Sequence, residues 1–533
     1  MPEIVLATLN AKYIHASLGL RSLLANLGEL RARAALAEFT IQERPLDVAE
    51  RLLALEPRIV ALGVYVWNVA PTTELVALLK RVRPDLVVVL GGPEVSHEPE
   101  AQEIVRLADC TIRGEGERAL PEVCRAVLTG GAVPAEIVAA APPDLATLAL
   151  PYDEYTDEDI AHRLVYVEAS RGCPFSCEFC LSSLDEQVRP FPLEAFLAAM
   201  DRLLARGVRH FKFVDRTFNL HLPTSRRILE FFLARLMPGL FLHFEMVPDR
   251  LPTELRELLA RFPAGSLQLE IGIQSYDPAV TAAISRRQDL AKLEDNFRYL
   301  RAHTHAHLHA DLIIGLPGET AVGFGAGFDR LAALAPHEIQ VGLLKRLRGA
   351  PIARHDAAET MIYSPVPPYE ILRNRVIDFA TMQRLRRFAR YWDLVGNSGN
   401  FVETLPLFWS GAASCGAAVV ATALGCACCE GEAASPFAEF LWFSDWFFAR
   451  EGRHHALALS RTMERVFEFL VHERGLAPEV VAAALLRDCG RIGYLELPAA
   501  VRPFASREGL AELAARRGSP AQNTKRQARH RAT

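Results

Sequence analysis

The sequence predicts an α/β protein in three parts: an N-terminal doubly wound domain, a central partial (β/α)6 barrel and an α-helical C-terminal domain. Three observations predict this. Apolar strand-like runs alternate with amphipathic helical stretches over the first 140 residues, the alternation resumes for six repeats over residues 164–344, and beyond Pro351 the pattern turns helical. Continuous apolar strands joined by helices indicate parallel sheets covered on both faces. Ligands of such folds sit beyond the carboxyl ends of the strands.

In the first domain, residues 1–140, the expected strands are 3–8, 37–41, 59–66, 86–90 and 110–112, with helical spacing between them as in Leu20, Leu23, Leu24 and Leu27. Residues 141–162, "APPDLATLALPYDEYTDEDIAH", are rich in Pro and acids, break the periodicity and read as a linker. Barrel strands are expected at 164–169, 210–214, 240–246, 267–273, 307–314 and 339–343, giving a barrel domain over 163–350. Helices at 371–388, 437–448, 456–470 and 478–486 make a C-terminal domain over 351–515, with "FLWFSDWFF" (440–448) as core, and 516–533 read as a basic disordered tail.

A chain of 533 residues suggests about three domains. Half of it is hydrophobic and its net charge is -5, the balance of a globular enzyme, with no general attraction to nucleic acid. No charged-then-apolar leader follows Met1, so a cytoplasmic protein is expected. Residues 405–429 carry no charge, but their Ala, Gly, Ser and Cys supply little transfer energy, which argues against a membrane span. Ten cysteines without an export signal point to ligands or buried thiols in a reducing compartment. Cys415, Cys426, Cys428 and Cys429 lie in apolar surroundings and read as buried thiols of unassigned role.

The strongest motif is "ASRGCPFSCEFC". Cys173, Cys177 and Cys180 are spaced C-x3-C-x2-C directly after a strand, so three thiolates can converge on one cluster, and no fourth Cys or His stands near to complete a zinc site. Three ligands on four irons leave one iron open to a substrate or cosubstrate. The triplet resembles the cluster motif of the radical S-adenosylmethionine superfamily. That resemblance implies a [4Fe-4S] cluster whose free iron chelates S-adenosylmethionine, which is cleaved reductively to a 5′-deoxyadenosyl radical. It also implies Phe179 beside the adenine, Asp215 and Asn219 of "FKFVDRTFN" near the methionine end, and Glu270 and Gln274 of "LQLEIGIQSYD" on one strand face. Arg286 or Arg287 would take the carboxylate, and Gly315 of "HADLIIGLPGET", with Glu319 at family spacing, would bring backbone close to adenine. In "HTHAHLHAD", His303 and His305 are expected in a loop, whereas His309 and Asp311 share a strand face; His309 and Asp215 are the candidate catalytic residues.

The first domain's segments "VYVWN", "VVLGGPEVSHEPE" and "ADCTIRGEGERALPEV" resemble the cobalamin-binding domain that precedes the barrel in a large radical S-adenosylmethionine subgroup. Gly91 and Gly92 would give the nucleotide tail room, and Tyr65 and Asn68 would border it. Asn10, His15 and Ser17 of "LNAKYIHASLG" would face the corrin's lower side, with Ser17 as a helix N-cap. His15 departs from the D-x-H-x-x-G pattern of cobalt-ligating histidines: no Asp stands two before it and Gly19 comes four after. It is therefore not expected to ligate cobalt. "GEGE" (114–117) reads as a helix-entry turn. Cys110 and Cys124 are too few for the extra cluster of the methylthiotransferases.

The resemblance thus implies a cobalamin-dependent radical enzyme using the cluster, S-adenosylmethionine and cobalamin, with methylation of an unactivated carbon as its leading activity. The alternatives are a non-methylating cyclase or oxidoreductase and a cobalamin-binding sensor or carrier. The expected partners are a small-molecule or peptide substrate of unknown identity and a reductase, flavodoxin or ferredoxin as electron donor.

Overall fold

A computed structural model describes residues 1–410, 435–494, 497–515 and 526–530. The chain divides into two compact units. The first is Met1–Met246 with Lys345–Arg354 and Tyr363–Glu370; the second is Val247–Leu344, His355–Ile362 and Ile371–Thr533.

The first unit opens with a six-stranded parallel sheet made of β1 (Ile4–Asn10), β2 (Ala34–Thr40), β3 (Ile59–Gly63), β4 (Val87–Gly91), β5 (Cys110–Arg113) and β6 (Ile137–Ala139). Its order is β2-β1-β3-β4-β5-β6, so the direction of winding reverses between β1 and β3. Alternate residues explain the two covered faces. Val5, Ala7, Leu9, Val60 and Leu62 pack towards α2 (Pro45–Leu53), α3 (Val69–Val82) and α4 (Glu103–Leu107). Ile4, Leu6, Ile59, Ala61 and Ile112 pack towards α1 (Leu18–Ala25) and α5 (Ala119–Leu128), as a doubly wound fold requires.

The stretch read as a linker is packed instead. Tyr152 and Tyr155 are buried, and the Tyr152 hydroxyl donates to Glu168 O (2.9 Å) and accepts from Glu168 N (3.1 Å). These tyrosines pin the helix Asp157–His162 and the start of the next layer, β7 (Val165–Val167). Then come the two-residue strands β8 (Ser170–Arg171) and β9 (Arg189–Pro190), paired antiparallel, and β10 (His210–Phe213) and β11 (Phe241–Met246). β10 pairs in parallel with both β7 and β11.

The second unit carries β12 (Leu267–Gln274), β13 (His307–Ile314) and β14 (Glu338–Leu343), all parallel. The six expected barrel strands are therefore present, three in each unit. The C-terminal region is helical, with Phe440, Phe443 and Phe447 of the helix Pro436–Glu451 fully buried and Phe440 packed beside Phe388 and Trp392, as expected of core. One helix starts later than its apolar spacing suggested: Ile371–Arg373 is a strand, and the helix Phe379–Val395 begins where Asp378 accepts from Thr381 N (2.7 Å). Capping chemistry, not hydrophobic period, sets that boundary.

The tail read as disordered is ordered over its described part. Arg526–Arg529 is a helical turn, and Arg526 pairs with Glu338 (2.9 Å) and Asp393 (2.8 Å). Among the described residues no helix is long and apolar enough to cross a membrane. Cys415, Cys426, Cys428 and Cys429 lie outside the described residues.

Candidate functional site

In the first unit, a cavity of about 310 Å³ lies between the sheet and helices α1 and α5, at the carboxyl ends of β3, β4 and β5. Gly63, Gly91, Gly92, Gly114 and Gly116 line it with bare backbone. At Gly92 this is obligatory: φ is +107°, and a Cβ would stand 2.5 Å from Val64 O. At Gly91 the nearest atom to a Cβ would be 3.9 Å away, so only the absence of a side chain keeps that wall open. Tyr65 lines the cavity, hydrogen-bonds Ser17 and stacks on Trp67 at 4.4 Å.

Other residues nominated from the sequence hold the cavity's frame. Asn68 is buried: its Oδ1 accepts from Tyr65 N (2.7 Å), and its Nδ2 donates to Thr8 Oγ1 (3.2 Å), Leu9 O (3.0 Å) and Gly63 O (3.1 Å). Ser17 caps α1, accepting from Leu20 N (3.3 Å). Asn10 donates to His15 O (2.9 Å) and to Glu38 Oε1 (3.0 Å), the carboxylate that also receives Ser17 N and Arg21. His15 pairs through Nδ1 with the Tyr166 hydroxyl (2.6 Å), and burial, then Lys212 and Lys12, press its pKa down. None of the described residues lining the cavity is a histidine.

The cysteine loop leaves β8 and returns through β9, with Cys173 N donating to Asp185 O (2.9 Å) and Cys180 N to Cys177 O (3.1 Å). Gly172 makes this closure possible: its φ is +89°, and a Cβ would stand 2.1 Å from Gln187 O. Burial raises the Cys173 thiol, and the neighbouring Cys180 and Cys177 raise it further. Ionising three neighbouring thiols together calls for a bound metal charge. Among the described residues no three His, Cys, Asp or Glu are placed to hold one metal ion. Phe179 is half-buried between the last two cysteines.

Asp215 does not face open space. It is buried, accepts from Ala169 N (3.0 and 3.2 Å) and from Ser170 Oγ (2.7 Å), and burial pushes its pKa up to about 6. It thereby fixes the entry to the cysteine loop. Asn219 is also buried in this unit.

In the second unit, register places Glu270 beside His309, His309 beside Glu338, and Gly272 beside Asp311, all on one face of β12–β14. His309 Nε2 is 3.3 Å from Asp311 Oδ1 and its Nδ1 is 4.0 Å from Glu338 Oε2. Burial opposes charge on His309, but Asp311, Glu338 and Glu270 outweigh it and hold the imidazole above its ordinary pKa. Arg286 donates to Gly272 O, and Gln274, in a bulge at φ +72°, has its Oε1 buried without a hydrogen-bond partner. Gly315, at φ +90°, is crowded by Ile371. His303 ends a helix and His305 is an exposed loop residue, so no row of four histidines forms.

Sequence reasoning missed Glu168, Arg171, Glu115 and Glu117, which also line the cavity. Arg171 pairs with Glu115 (2.6 Å), Glu117 (2.8 Å) and Glu168 (2.8 Å). "GEGE" is thus a wall of the cavity as well as a helix entry. The local signal was Glu168 and Arg171, three residues apart just before the first cysteine; Glu115 and Glu117 lie more than fifty residues upstream. Cys110 and Cys124 are buried in the sheet core, where burial pushes them up to about 11 and about 12; they act as apolar groups.

A cavity walled by glycine at the strand ends, and a three-cysteine loop after the first strand of a (β/α) repeat, are the two features of a cobalamin-binding radical S-adenosylmethionine protein. Comparison with known families agrees. The B12 binding domain matches residues 4–124, the radical SAM superfamily matches 167–325, and a protein family of unknown function, DUF4080, matches 360–414. The chain thus carries the two domains of a cobalamin-dependent radical S-adenosylmethionine protein, whose cofactors are cobalamin, a [4Fe-4S] cluster and S-adenosylmethionine.

Among curated relatives, the chain is 24% identical to the uncharacterized methyltransferase PH0819 of Pyrococcus horikoshii, over 51% of this chain and 64% of that protein. It is 27% identical to the cobalamin-dependent radical SAM methyltransferase TokK of Streptomyces tokunonensis, over 59% of this chain and 50% of that one. The chain therefore spans between half and two thirds of the length of these relatives. Among solved structures, the cobalamin-dependent S-adenosylmethionine radical enzyme OxsB shares the fold, with a TM-score of 0.57 at 15% identity, covering 98% of this chain and 84% of that one.

Proposed function

We propose that the protein is a cobalamin-dependent radical S-adenosylmethionine methyltransferase acting on an unactivated carbon of a small-molecule or peptide substrate. The observation that carries the reading is that the first unit holds the glycine-walled cavity and the three-cysteine loop together, with Arg171 and Glu168 of the loop's stem lining the cavity. The similarity to TokK, itself a cobalamin-dependent radical SAM methyltransferase, supports the methyl-transfer part. When bound, the cofactors supply reductive cleavage of S-adenosylmethionine and a transferable methyl group.

The chain's own residues bind and orient. Cys173, Cys177 and Cys180 hold the cluster, Asp215 and Gly172 fix the loop that presents them, and Gly63, Gly91 and Gly92 give cobalamin its room. His309, whose pKa Asp311, Glu338 and Glu270 raise against its burial, offers a hydrogen-bond donor on the barrel face, and a proton when it is charged. A reductase, flavodoxin or ferredoxin supplies electrons, and the enzyme works in the cytoplasm. Anaerobic reconstitution and reduction with S-adenosylmethionine tests the reading. Methylation yields S-adenosylhomocysteine beside 5′-deoxyadenosine; 5′-deoxyadenosine alone indicates a non-methylating radical enzyme, and no cleavage at all a sensor or carrier. Cys177→Ala should abolish cleavage, and cleavage surviving that change overturns the cluster assignment.

A further inference from the structure

The stem of the cysteine loop is tied to the cobalamin-type domain by a partly buried ionic knot. Arg171 NH1 donates to Glu115 Oε2 (2.6 Å) and its NH2 reaches Glu117 Oε1 (2.8 Å), both from the turn between β5 and α5. Its Nε and NH2 also donate to Glu168 Oε1 at 3.0 and 2.8 Å, and NH2 lies 3.4 Å from Ser22 Oγ on α1. Opposite Arg171 in the β8–β9 pair stands Arg189, which donates to Glu115 and to Asp185 Oδ2 (2.8 Å). Ser22 Oγ donates to Glu117 Oε1 (2.8 Å), closing the knot on α1. Ser22, Glu115, Glu117, Glu168 and Arg171 all line the 310 Å³ cavity.

Only Gly172 separates Arg171 from Cys173, and its close approach to Gln187 O leaves this link no slack. A shift of the cavity wall is therefore passed to the first cysteine. Without the guanidinium, three carboxylates would face one another across a partly buried gap, and their repulsion would open the stem.

We propose that Arg171 is a positioning residue that couples the two cofactor sites: filling the cavity sets the stem of the cysteine loop, and the assembled loop sets the cavity wall. This rests on the cofactor reading above. Coupling of this kind is reciprocal, so each cofactor must tighten the site of the other by the same factor.

The test measures hydroxocobalamin binding to the full chain, by absorbance after equilibrium dialysis, with the cluster reconstituted and with it absent. The ratio of the two dissociation constants is the coupling factor. It is expected to be about fivefold or more in the unaltered protein, the lower end of ordinary allosteric coupling. Arg171→Gln should bring it close to one, and Arg171→Lys, which keeps the charge, should restore part of it. Glu115→Gln, which cuts only the link from the β5–α5 turn, should lower it and decides the matter if Arg171→Gln does not fold. Cobalamin should also shift the electron paramagnetic resonance signal of the reduced cluster in the unaltered protein and not in Arg171→Gln. A ratio of one in the unaltered protein, or an undiminished ratio in folded Arg171→Gln and Glu115→Gln, overturns the proposal. If the unaltered protein takes up neither cobalamin nor iron, the cofactor reading itself falls; if it binds both without coupling, only this inference does.

Discussion

Glu319 offers a test of the fold's electrostatics that needs no cofactor. It lies just past β13, 2% exposed, with Oε1 receiving Ser275 Oγ at 2.5 Å and Oε2 buried without a hydrogen-bond partner. Burial, helped by the Asp277 charge and opposed by the Ser275 hydroxyl, pushes its pKa up from 4.5 to about 8. A raised carboxyl pKa means that the folded state holds the proton more tightly. The stability it contributes is complete below pH 4.5 and is lost as pH rises through about 8. The loss grows by about 1.4 kcal/mol per pH unit in that window, so it reaches about 3 kcal/mol at pH 7 and about 5 kcal/mol at pH 9. Glu319→Gln keeps an acceptor for Ser275 and cannot ionise, but places an amide where Oε2 has no partner, costing about 1 kcal/mol. The variant should therefore match the unaltered protein near pH 5, exceed it by about 2 kcal/mol at pH 7 and by about 4 kcal/mol at pH 9. Urea denaturation of both proteins at matched pH reads the difference. A gap that stays constant from pH 5 to 9 refutes the assignment of a buried, protonated Glu319.

Two further outcomes are expected. His15→Ala should leave the absorption spectrum of bound cobalamin unchanged, because His15 is engaged with Tyr166 and does not line the cavity, while lowering stability by about 1 kcal/mol for the lost hydrogen bond; loss of a histidine-ligated cobalt spectrum would show that His15 moves to the metal. Gly92→Ala should destabilise the first unit by about 3 kcal/mol and weaken hydroxocobalamin binding, since it imposes both a left-handed φ and a 2.5 Å contact with Val64 O; unaltered urea denaturation and affinity would show that the backbone there is free to rearrange.

The parallel sheets and the cysteine loop were legible because their signals are local. Apolar runs such as Ile4–Asn10 fill both faces of a buried sheet, and a C-x3-C-x2-C spacing fixes three thiols in one turn of chain. The Ser17 cap and the Gly91–Gly92 opening were legible for the same reason. The Arg171 knot was not, because an ion pair between residues 115 and 171 leaves no trace in spacing. The same holds for the ordered linker, whose Tyr152 is buried by a bond to Glu168 that composition hides beneath prolines and acids. The late start of the helix Phe379–Val395 had a local signal, Asp378 three residues before Thr381, which a longer hydrophobic period masked.

Resemblance to a family nominates polar residues near a cofactor without distinguishing those that touch it from those that hold what touches it. In this chain the two kinds separate by their hydrogen bonds. Asn68 commits both ends of its amide to backbone and hydroxyl partners, and Asp215 accepts from Ala169 and Ser170. Both are buried in these bonds, and turning either side chain towards a ligand would leave a buried partner unpaired, which costs about 1 to 3 kcal/mol per group. Gly63, Gly91 and Tyr65, by contrast, border the cavity directly. Substituting Asn68 or Asp215 would thus reach the cofactors by displacing a loop. Lost binding in such a variant identifies a support, and only substitutions on the cavity wall or at the three cysteines can identify a contact.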